Sequence, residues 1–264
     1  MLSEVFAVSP EWSAYFLLVM GRLTAAIVAA PLFGARGVPI HTKVGFAIIL
    51  SLIVLPLSSQ TVGDRTIEGS PTDLFAFASA LGTEVILGIA IGLGVMLVFQ
   101  GLEMAASLVS VQIGFNIGQI FDPMTGAMSG TMEQFYRVVI TLVFFAINGH
   151  YLVIMGFLRT FDAIPPGEAT LGVVAGDRVI PFFGTMIVSA VQIALPVFGA
   201  VILADFAMAV ANRAVPQMNA LVVGFPVKIG VGLLVLGASM PMMVSFLGAT
   251  MGRALVDVNA LVVR

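Results

Sequence analysis

A serine and a histidine in this chain are the residue types that could form a nucleophile and its base. Ser129 lies in the short run GAMSG, and His150 follows it further along the chain. Serine hydrolysis needs a base beside the hydroxyl, and an intramembrane serine protease also requires a glycine two residues before the serine. Ala127 occupies that position here. The motif is therefore incomplete, and it does not favour proteolysis.

Other reactive groups are scarce. The sequence has no cysteine, which excludes disulfides, thiolate metal sites and cysteine nucleophiles. The two histidines, His41 and His150, are too few for a histidine-based metal site without several carboxylates close by. The phosphate-binding pattern GxxxxGK followed by serine or threonine is missing, and the net charge of -3 does not indicate a nucleic-acid partner. We therefore expect a protein that is not an enzyme and needs no cofactor or metal.

The most unusual stretch is GFNIGQIFDPMTG, from Gly114 to Gly126. It places glycines, amides, an aspartate and a proline between long hydrophobic runs. Such residues break helices, and lipid cannot satisfy the backbone groups that a broken helix leaves unpaired. If this stretch lies at membrane depth, it has to be buried in protein or line a watery cavity.

Hydrophobic segments supply the frame around this stretch. The 264 residues are 59% hydrophobic and 9% charged, against about 25% charged residues in soluble domains. A helix needs about 20 apolar residues to cross the hydrocarbon layer of a membrane. The sequence thus predicts an all-α integral membrane protein of about six kinked, closely packed helical segments. These are Trp12–Phe33, Val38–Leu57, Leu74–Phe99, Phe135–Leu158, Val179–Ala204 and Leu221–Leu247, with a separate amphipathic helix at Gly101–Ile113.

The charged residues Arg22, Glu84, Arg137 and Lys228 fall within or at the margins of these apolar segments. An ionised group at the bilayer centre costs about 2.5 to 3.5 kcal/mol on insertion scales. We therefore expect these side chains to face protein, water or one another, and Arg22, Glu84 and Arg137 to be buried. The alternative is that they lie near the membrane surface and extend their charged ends into water.

Several motifs, in this order along the chain, resemble the FliR family, the export-gate subunits of flagellar type III secretion, which are related to the SctT subunits of injectisomes. The resemblance covers nearly the whole chain. Its most specific part is RAVPQMNALVVGFPVKIGVGLLVL, which begins at Arg213. The other parts are Arg22, PLFGARGVP from Pro31, Lys43, Pro56, Glu84 with Gly88 and Gly92, Gln112, Gly114, the Asp122–Pro123 pair and NGH from Asn148.

The resemblance implies a non-enzymatic subunit of an export gate in the bacterial inner membrane, within the flagellar basal body. Its partners would be FliP-like and FliQ-like subunits in a channel for unfolded flagellar substrates, FlhB-like and FlhA-like export proteins, and the lipid bilayer. Residues 1–178 would resemble a FliP protomer, and residues 179–264 would form a FliQ-like helical hairpin. The equivalent injectisome subunit is the alternative, although FDPMTG and NGHYLVI are more similar to flagellar members.

The resemblance also assigns a role to the unusual stretch. It implies that residues 106–123 include a loop that plugs the channel from inside. The alternative is an ordinary helix-loop-helix packed on neighbouring segments. In the plug, Phe115, Ile117, Ile120 and Phe121 would form the apolar stopper, Gly114 and Gly118 its bend, and Asp122 with Pro123 its end.

A second set of residues is similar to the loop of the FliQ hairpin and would contact partner subunits. Ala220 departs from the glutamate that is usual in that loop. A solvated turn is the alternative for the loop, and a solute transporter with broken helices is the alternative for the whole chain. The set consists of Arg213, Pro216, Gln217, Asn219, Pro226 and Lys228.

Overall fold

A computed structural model of the chain describes residues 10–30, 39–61, 74–114, 131–169, 176–217 and 219–262. The secondary structure within these ranges is helical, so the predicted all-α fold class is confirmed. In chain order the helices are α1 (Pro10–Ala29), α2 (Ile40–Thr61), α3 (Leu74–Ile113), α4 (Thr131–Ala146), α5 (Gly149–Ala163), α6 (Gly176–Ala214) and α7 (Ala220–Val262).

Four of these helices are long and apolar enough to cross a membrane. Their apolar stretches are Trp12–Ala29 in α1, Leu74–Ile113 in α3, Ile187–Ala214 in α6 and Val222–Ala249 in α7. A fifth span arises if α4 and α5, which are separated by a sharp break, are counted as one. The apolar part of α2, Ile40–Pro56, is shorter than the about 20 residues that a span needs. The helices are thus those of an integral membrane protein.

α3 is longer than the sequence predicts. The hydrophobic segment that was expected to end at Phe99 and the amphipathic helix Gly101–Ile113 form one helix of 40 residues. Gly101 is the weakest helix former at the junction, but a glycine costs only about 1 kcal/mol relative to alanine, and α3 contains no proline. At about 1.5 Å per residue, α3 is about 60 Å long when measured along the helix, which is twice the thickness of the hydrocarbon layer.

The fourth hydrophobic segment is interrupted rather than continuous. α4 ends at Ala146 and α5 begins at Gly149. Asn148 lies between them with a φ of 55°, a left-handed conformation that asparagine adopts more readily than most residues. Gly149 packs so closely on the ring of Phe144 that a Cβ atom would overlap the ring. A larger residue could not occupy this position without moving Phe144.

The described residues belong to two compact units, of which the first contains α1, α2, the beginning of α3, most of α5 and the end of α7. α1 and α3 approach closely at two glycines. A Cβ atom on Gly88 would overlap the carbonyl of Arg22, and one on Gly92 would lie 2.6 Å from the carbonyl of Ala26. Small residues allow such close approach of helices in membranes. Buried side chains of this unit include Leu18, Val19, Leu23, Ile27, Leu87 and Ile91.

The second unit contains the remainder of α3, α4, most of α6 and α7 up to Thr250. Phe99 in α3 packs on Phe144 in α4, with ring centroids 5.3 Å apart. Ile113, at the end of α3, is fully buried and lies against Gly232 of α7. Other buried side chains of this unit include Val98, Ile140, Val197, Val201, Leu236 and Leu247.

Candidate functional site

Arg22 of α1 and Glu84 of α3 form a buried ion pair. Their side chains are 1% and 0% exposed. Arg22 donates from Nη2 to Oε1 of Glu84 over 2.9 Å and from Nε to Oε2. A bidentate arrangement of this kind holds both groups in one geometry. Two of the charges that the sequence places inside apolar segments, Arg22 and Glu84, therefore face each other.

The remaining polar groups of the pair also have partners. Nη1 of Arg22 donates to the carbonyl of Thr160 over 3.2 Å and to that of Ile164 over 2.9 Å. The backbone N–H of Gly167 donates to Oε1 of Glu84 over 2.8 Å. The pair thus joins α1 and α3 to the end of α5 and to the turn that follows it.

Phe161 and Gly167 shape the surroundings of this pair. The guanidinium carbon of Arg22 lies 4.4 Å from the centre of the Phe161 ring, which adds a cation–π contact. Gly167 has a φ of 90°, a conformation that suits glycine, and so directs its N–H to the carboxylate. Because the donors and acceptors around the pair are satisfied by the protein, the arrangement is suited to holding helices together rather than to binding a ligand.

Arg137 of α4 lies at the surface of this chain and so differs from the two buried charges. Its side chain is 60% exposed, and its Nε lies 3.0 Å from Oε1 of Glu103, which is 33% exposed. The buried side of α4 is formed by Tyr136, Ile140 and Phe144, spaced one helical turn apart. This spacing leaves Arg137 on the outer side of the helix.

The short connection between α6 and α7 is accompanied by an ion pair between the two helices. Nζ of Lys228 in α7 lies 2.6 Å from Oδ1 of Asp205 in α6. Asp205 was not expected from the sequence, because one carboxylate in an apolar segment does not specify its partner by spacing. Pro226 and Lys228 lie within α7 and not in the loop. The other residues predicted for this loop, Arg213, Pro216, Gln217 and Asn219, are exposed.

Gly114 directly follows the last residue of α3 and is the one residue of the predicted stopper and bend that falls within the described ranges. Its N–H donates to the carbonyls of Ser110 and Val111, each over 3.1 Å, and its φ is 92°. A Cβ atom at Gly114 would lie 2.7 Å from the ring of Phe225 in α7. Phe115, Ile117, Gly118, Ile120, Phe121, Asp122 and Pro123 lie outside the described residues.

In the described part of the chain, the best-defined polar groups are the ion pairs that join helices. Within that part, no group of three or more histidines, aspartates or glutamates is placed to hold a metal ion. The ring of His150 lies beside that of Phe145, with centroids 5.5 Å apart. Ser129 lies outside the described residues.

Comparison with known proteins identifies the family. The family described as bacterial export proteins, family 1, matches residues 13–254. The chain is also 33% identical over 233 residues to the flagellar biosynthetic protein FliR of Bacillus subtilis strain 168, covering 84% of each protein. The chain belongs to the FliR family. FliR of Aquifex aeolicus strain VF5 is 27% identical over 237 residues and FliR of Escherichia coli strain K12 is 23% identical over 238, each covering 89% of this chain and 88% of the relative.

The structural features described above lie within the matched part of this FliR-family chain. The matched range includes the Arg22–Glu84 pair, the end of α3 at Gly114 and the Lys228–Asp205 pair. FliR-family proteins are bacterial export proteins. The chain is therefore a component of a bacterial export apparatus.

Proposed function

We propose that this chain is a structural and gating subunit of the flagellar protein export gate, which forms the channel for unfolded flagellar substrates with FliP-like and FliQ-like subunits. The observation that carries the proposal is the 33% identity with a flagellar biosynthetic protein across 84% of both chains. A likeness spread over most of the length supports a shared role more strongly than a shared fragment would.

The surface of α6 and α7 supports assembly with other subunits. In an apolar window of 18 residues within Val222–Ala249 of α7, 17% of the residues are buried within the chain, against 39% in the corresponding window of α6 and 44% in those of α1 and α3. Lys228 and Asp205 lie in the two less buried helices with side chains 29% and 41% exposed. Charged groups are costly in hydrocarbon, so protein is a better neighbour for this surface than acyl chains are.

The plug proposal concerns residues 115–121 and the end of α3. A residue with positive φ at a helix end turns the chain away from the helix axis, and Gly114 has such a conformation. Backbone beyond a helix end is tolerated at membrane depth if protein or a water-filled cavity surrounds it. A channel supplies such a cavity, and the apolar side chains Phe115, Ile117, Ile120 and Phe121 would exclude water and ions from it.

The remaining assignments extend the same proposal. Residues 1–178 form the FliP-like part and residues 179–264 the FliQ-like hairpin, in the bacterial inner membrane at the flagellar basal body. FlhB-like and FlhA-like export proteins are the proposed partners of the α6–α7 connection, where Arg213, Pro216, Gln217 and Asn219 are exposed. The exposed Arg137–Glu103 pair would be covered by a neighbouring subunit.

Deletion of residues 115–121 tests the plug. In membranes that contain the assembled export complex, small-ion leakage should rise, because the apolar stopper is gone while the channel wall is intact. A deletion of equal length at residues 63–69, in the polar connection after α2, is the matched control and should leave leakage unchanged. Equal leakage from the two deletions, at equal amounts of assembled complex, would contradict the plug.

Co-expression tests the assembly. The chain produced with FliP-like and FliQ-like subunits should purify as one complex in detergent, whereas the chain produced alone should aggregate or be degraded. A solute transporter would behave as a self-sufficient unit. A stable, monodisperse protein obtained without the partners would therefore argue against an export-gate subunit.

A further inference from the structure

The C-terminal end of α3 is seated on α7 through two adjacent residues. Ile113 is fully buried, and a Cβ atom added to Gly232 would lie 2.6 Å from its Cγ1 atom. The missing side chain of Gly232 thus makes room for the isoleucine. Gly114 lies under the ring of Phe225, as described above. We call these four residues, Ile113, Gly114, Phe225 and Gly232, the α3–α7 joint.

The α7 side of the joint is one continuous face of the helix. Phe225, Lys228 and Gly232 follow one another at intervals of three and four residues, so they lie above one another on the helix. Lys228 on this face pairs with Asp205 of α6. The face that receives the end of α3 is therefore also tied to the neighbouring helix.

Two constraints act together at Gly114. Its φ of 92° disfavours any residue with a side chain, and the ring of Phe225 occupies the place where a Cβ atom would lie. The backbone N–H is held by two carbonyls of the last turn of α3. The position and direction in which the chain leaves α3 are thus defined by α7 as well as by α3.

We propose that Phe225 and Gly232 are positioning residues that fix the end of α3, and with it the point from which residues 115–121 enter the channel. This inference rests on the proposed function, because the position of the end of α3 matters for gating if residues 115–121 plug the export channel. The joint is a fixed anchor. It stays closed while substrates pass.

A disulfide tests whether the joint is a fixed anchor. A Cβ atom at position 232 would lie 3.7 Å from Cβ of Ile113, close to the about 3.8 Å that disulfides favour. The chain has no cysteine of its own, so Ile113→Cys with Gly232→Cys introduces the only pair of thiols. In the assembled complex this pair should cross-link on mild oxidation, and secretion of flagellar protein should continue at the rate seen after reduction.

The control for the disulfide is Ile113→Cys with Gly230→Cys. Position 230 has no neighbouring atom within 4 Å of an added Cβ atom, so this pair should not cross-link. Failure of the 113–232 pair to cross-link would show that the joint is absent from the assembled complex. Secretion that stops on oxidation and recovers on reduction would show that the joint has to open, which would overturn the fixed anchor.

Gly232→Ala tests whether the joint positions the plug. The added methyl group expels Ile113, and ion leakage per assembled complex should rise several-fold, whereas Gly230→Ala should leave it unchanged. Ile113→Ala in the same chain restores the space and should return leakage to the original level. A lower amount of complex with normal leakage per complex would mean that Gly232 serves folding alone, and would overturn the positioning role.

The plug and the positioning role of the α3–α7 joint can fail separately. If deletion of residues 115–121 raises leakage and Gly232→Ala does not, the positioning role is wrong and the proposed function stands. If the deletion has no effect, the plug itself is wrong, while the cross-linking yield still decides whether the α3–α7 joint exists.

Discussion

Replacing Arg22 by methionine tests whether the buried ion pair holds α1, α3 and the end of α5 together. Methionine is long and apolar, so it fills much of the same space without a charge. Glu84 would keep the N–H of Gly167 as a partner and lose the guanidinium. The carbonyl of Thr160 would still accept the N–H of Ile164 over 2.9 Å, whereas the carbonyl of Ile164 would lose the hydrogen bond from Nη1 of Arg22. The main losses are therefore the charge pairing and this one hydrogen bond.

The expected effect is large relative to the stability of a folded chain. Removing one partner of a buried ion pair costs about 3 to 5 kcal/mol, because the other charge is left uncompensated. Typical unfolding free energies are about 5 to 15 kcal/mol. Arg22→Met should therefore lower the ratio of folded to unfolded chain by about two to four orders of magnitude, and the amount of assembled complex should fall with it.

Two further variants separate charge pairing from packing. Glu84→Gln combined with Arg22→Met removes the stranded charge and keeps an acceptor for the N–H of Gly167. This double variant should recover at least about 1 kcal/mol relative to the sum of the single effects. Glu103→Gln is the control, since its pair with Arg137 is exposed and should change stability by less than about 1 kcal/mol.

The assay is thermal and denaturant unfolding of the co-purified complex in detergent, followed by protease resistance of this chain. Glu103→Gln should unfold at the same temperature and denaturant concentration as the unchanged chain. Arg22→Met should unfold at clearly lower values of both. If Arg22→Met were as stable as Glu103→Gln, or if the double variant were no better than the sum of its parts, the buried pair could not be the tie described here.

Three further predictions concern packing and backbone conformation. Gly88→Ala should destabilise the complex by about 1 to 3 kcal/mol in the same unfolding assay, because the new methyl group forces α1 away from α3, whereas Gly82→Ala, with no atom within 4 Å of the added Cβ, should be neutral or slightly stabilising. Lys228→Met should reduce co-purification with partner subunits because Asp205 loses its partner, and adding Asp205→Asn should restore part of the yield; equal yields from both variants would argue against a role for the pair. Asn148→Gly should be tolerated and Asn148→Val should cost about 1 to 3 kcal/mol, since valine resists a φ of 55°, and equal melting temperatures of the two variants would contradict this.

The helical frame and the burial of Arg22 and Glu84 could be predicted because each depends on one strong physical constraint, whereas Arg137, for which burial was also expected, is exposed in this chain. Apolar runs of span length have few stable alternatives to helices in a membrane. A charge inside such a run needs a protein partner, which is what Arg22 and Glu84 supply to each other. The backbone partners at Thr160, Ile164 and Gly167 could not be predicted, because carbonyls and N–H groups carry no sequence signature.

The structure differs from the sequence-based predictions where the conformational preference of a single residue was weaker than the packing around it. Gly101 suggested a boundary that α3 does not have, since one glycine costs too little to end a well-packed helix. The helix breaks within an apolar run between Ala146 and Gly149, where Asn148 has a left-handed φ of 55°. The pairing of Lys228 with Asp205 depends on how α6 and α7 pack. The stopper residues after Gly114 stay a prediction.

The length of α3 limits what hydropathy can report about this protein. A helix that is about 60 Å long cannot lie entirely within a hydrocarbon layer about 30 Å thick unless it is strongly tilted. If α3 stands upright, about half of its apolar residues lie outside the hydrocarbon layer and contact something other than acyl chains. Their side chains are nevertheless as hydrophobic as those inside the layer. Lipid-accessible photolabels attached along α3 would then mark one part of the helix, and the unlabelled part would report where neighbouring polypeptide takes the place of the bilayer.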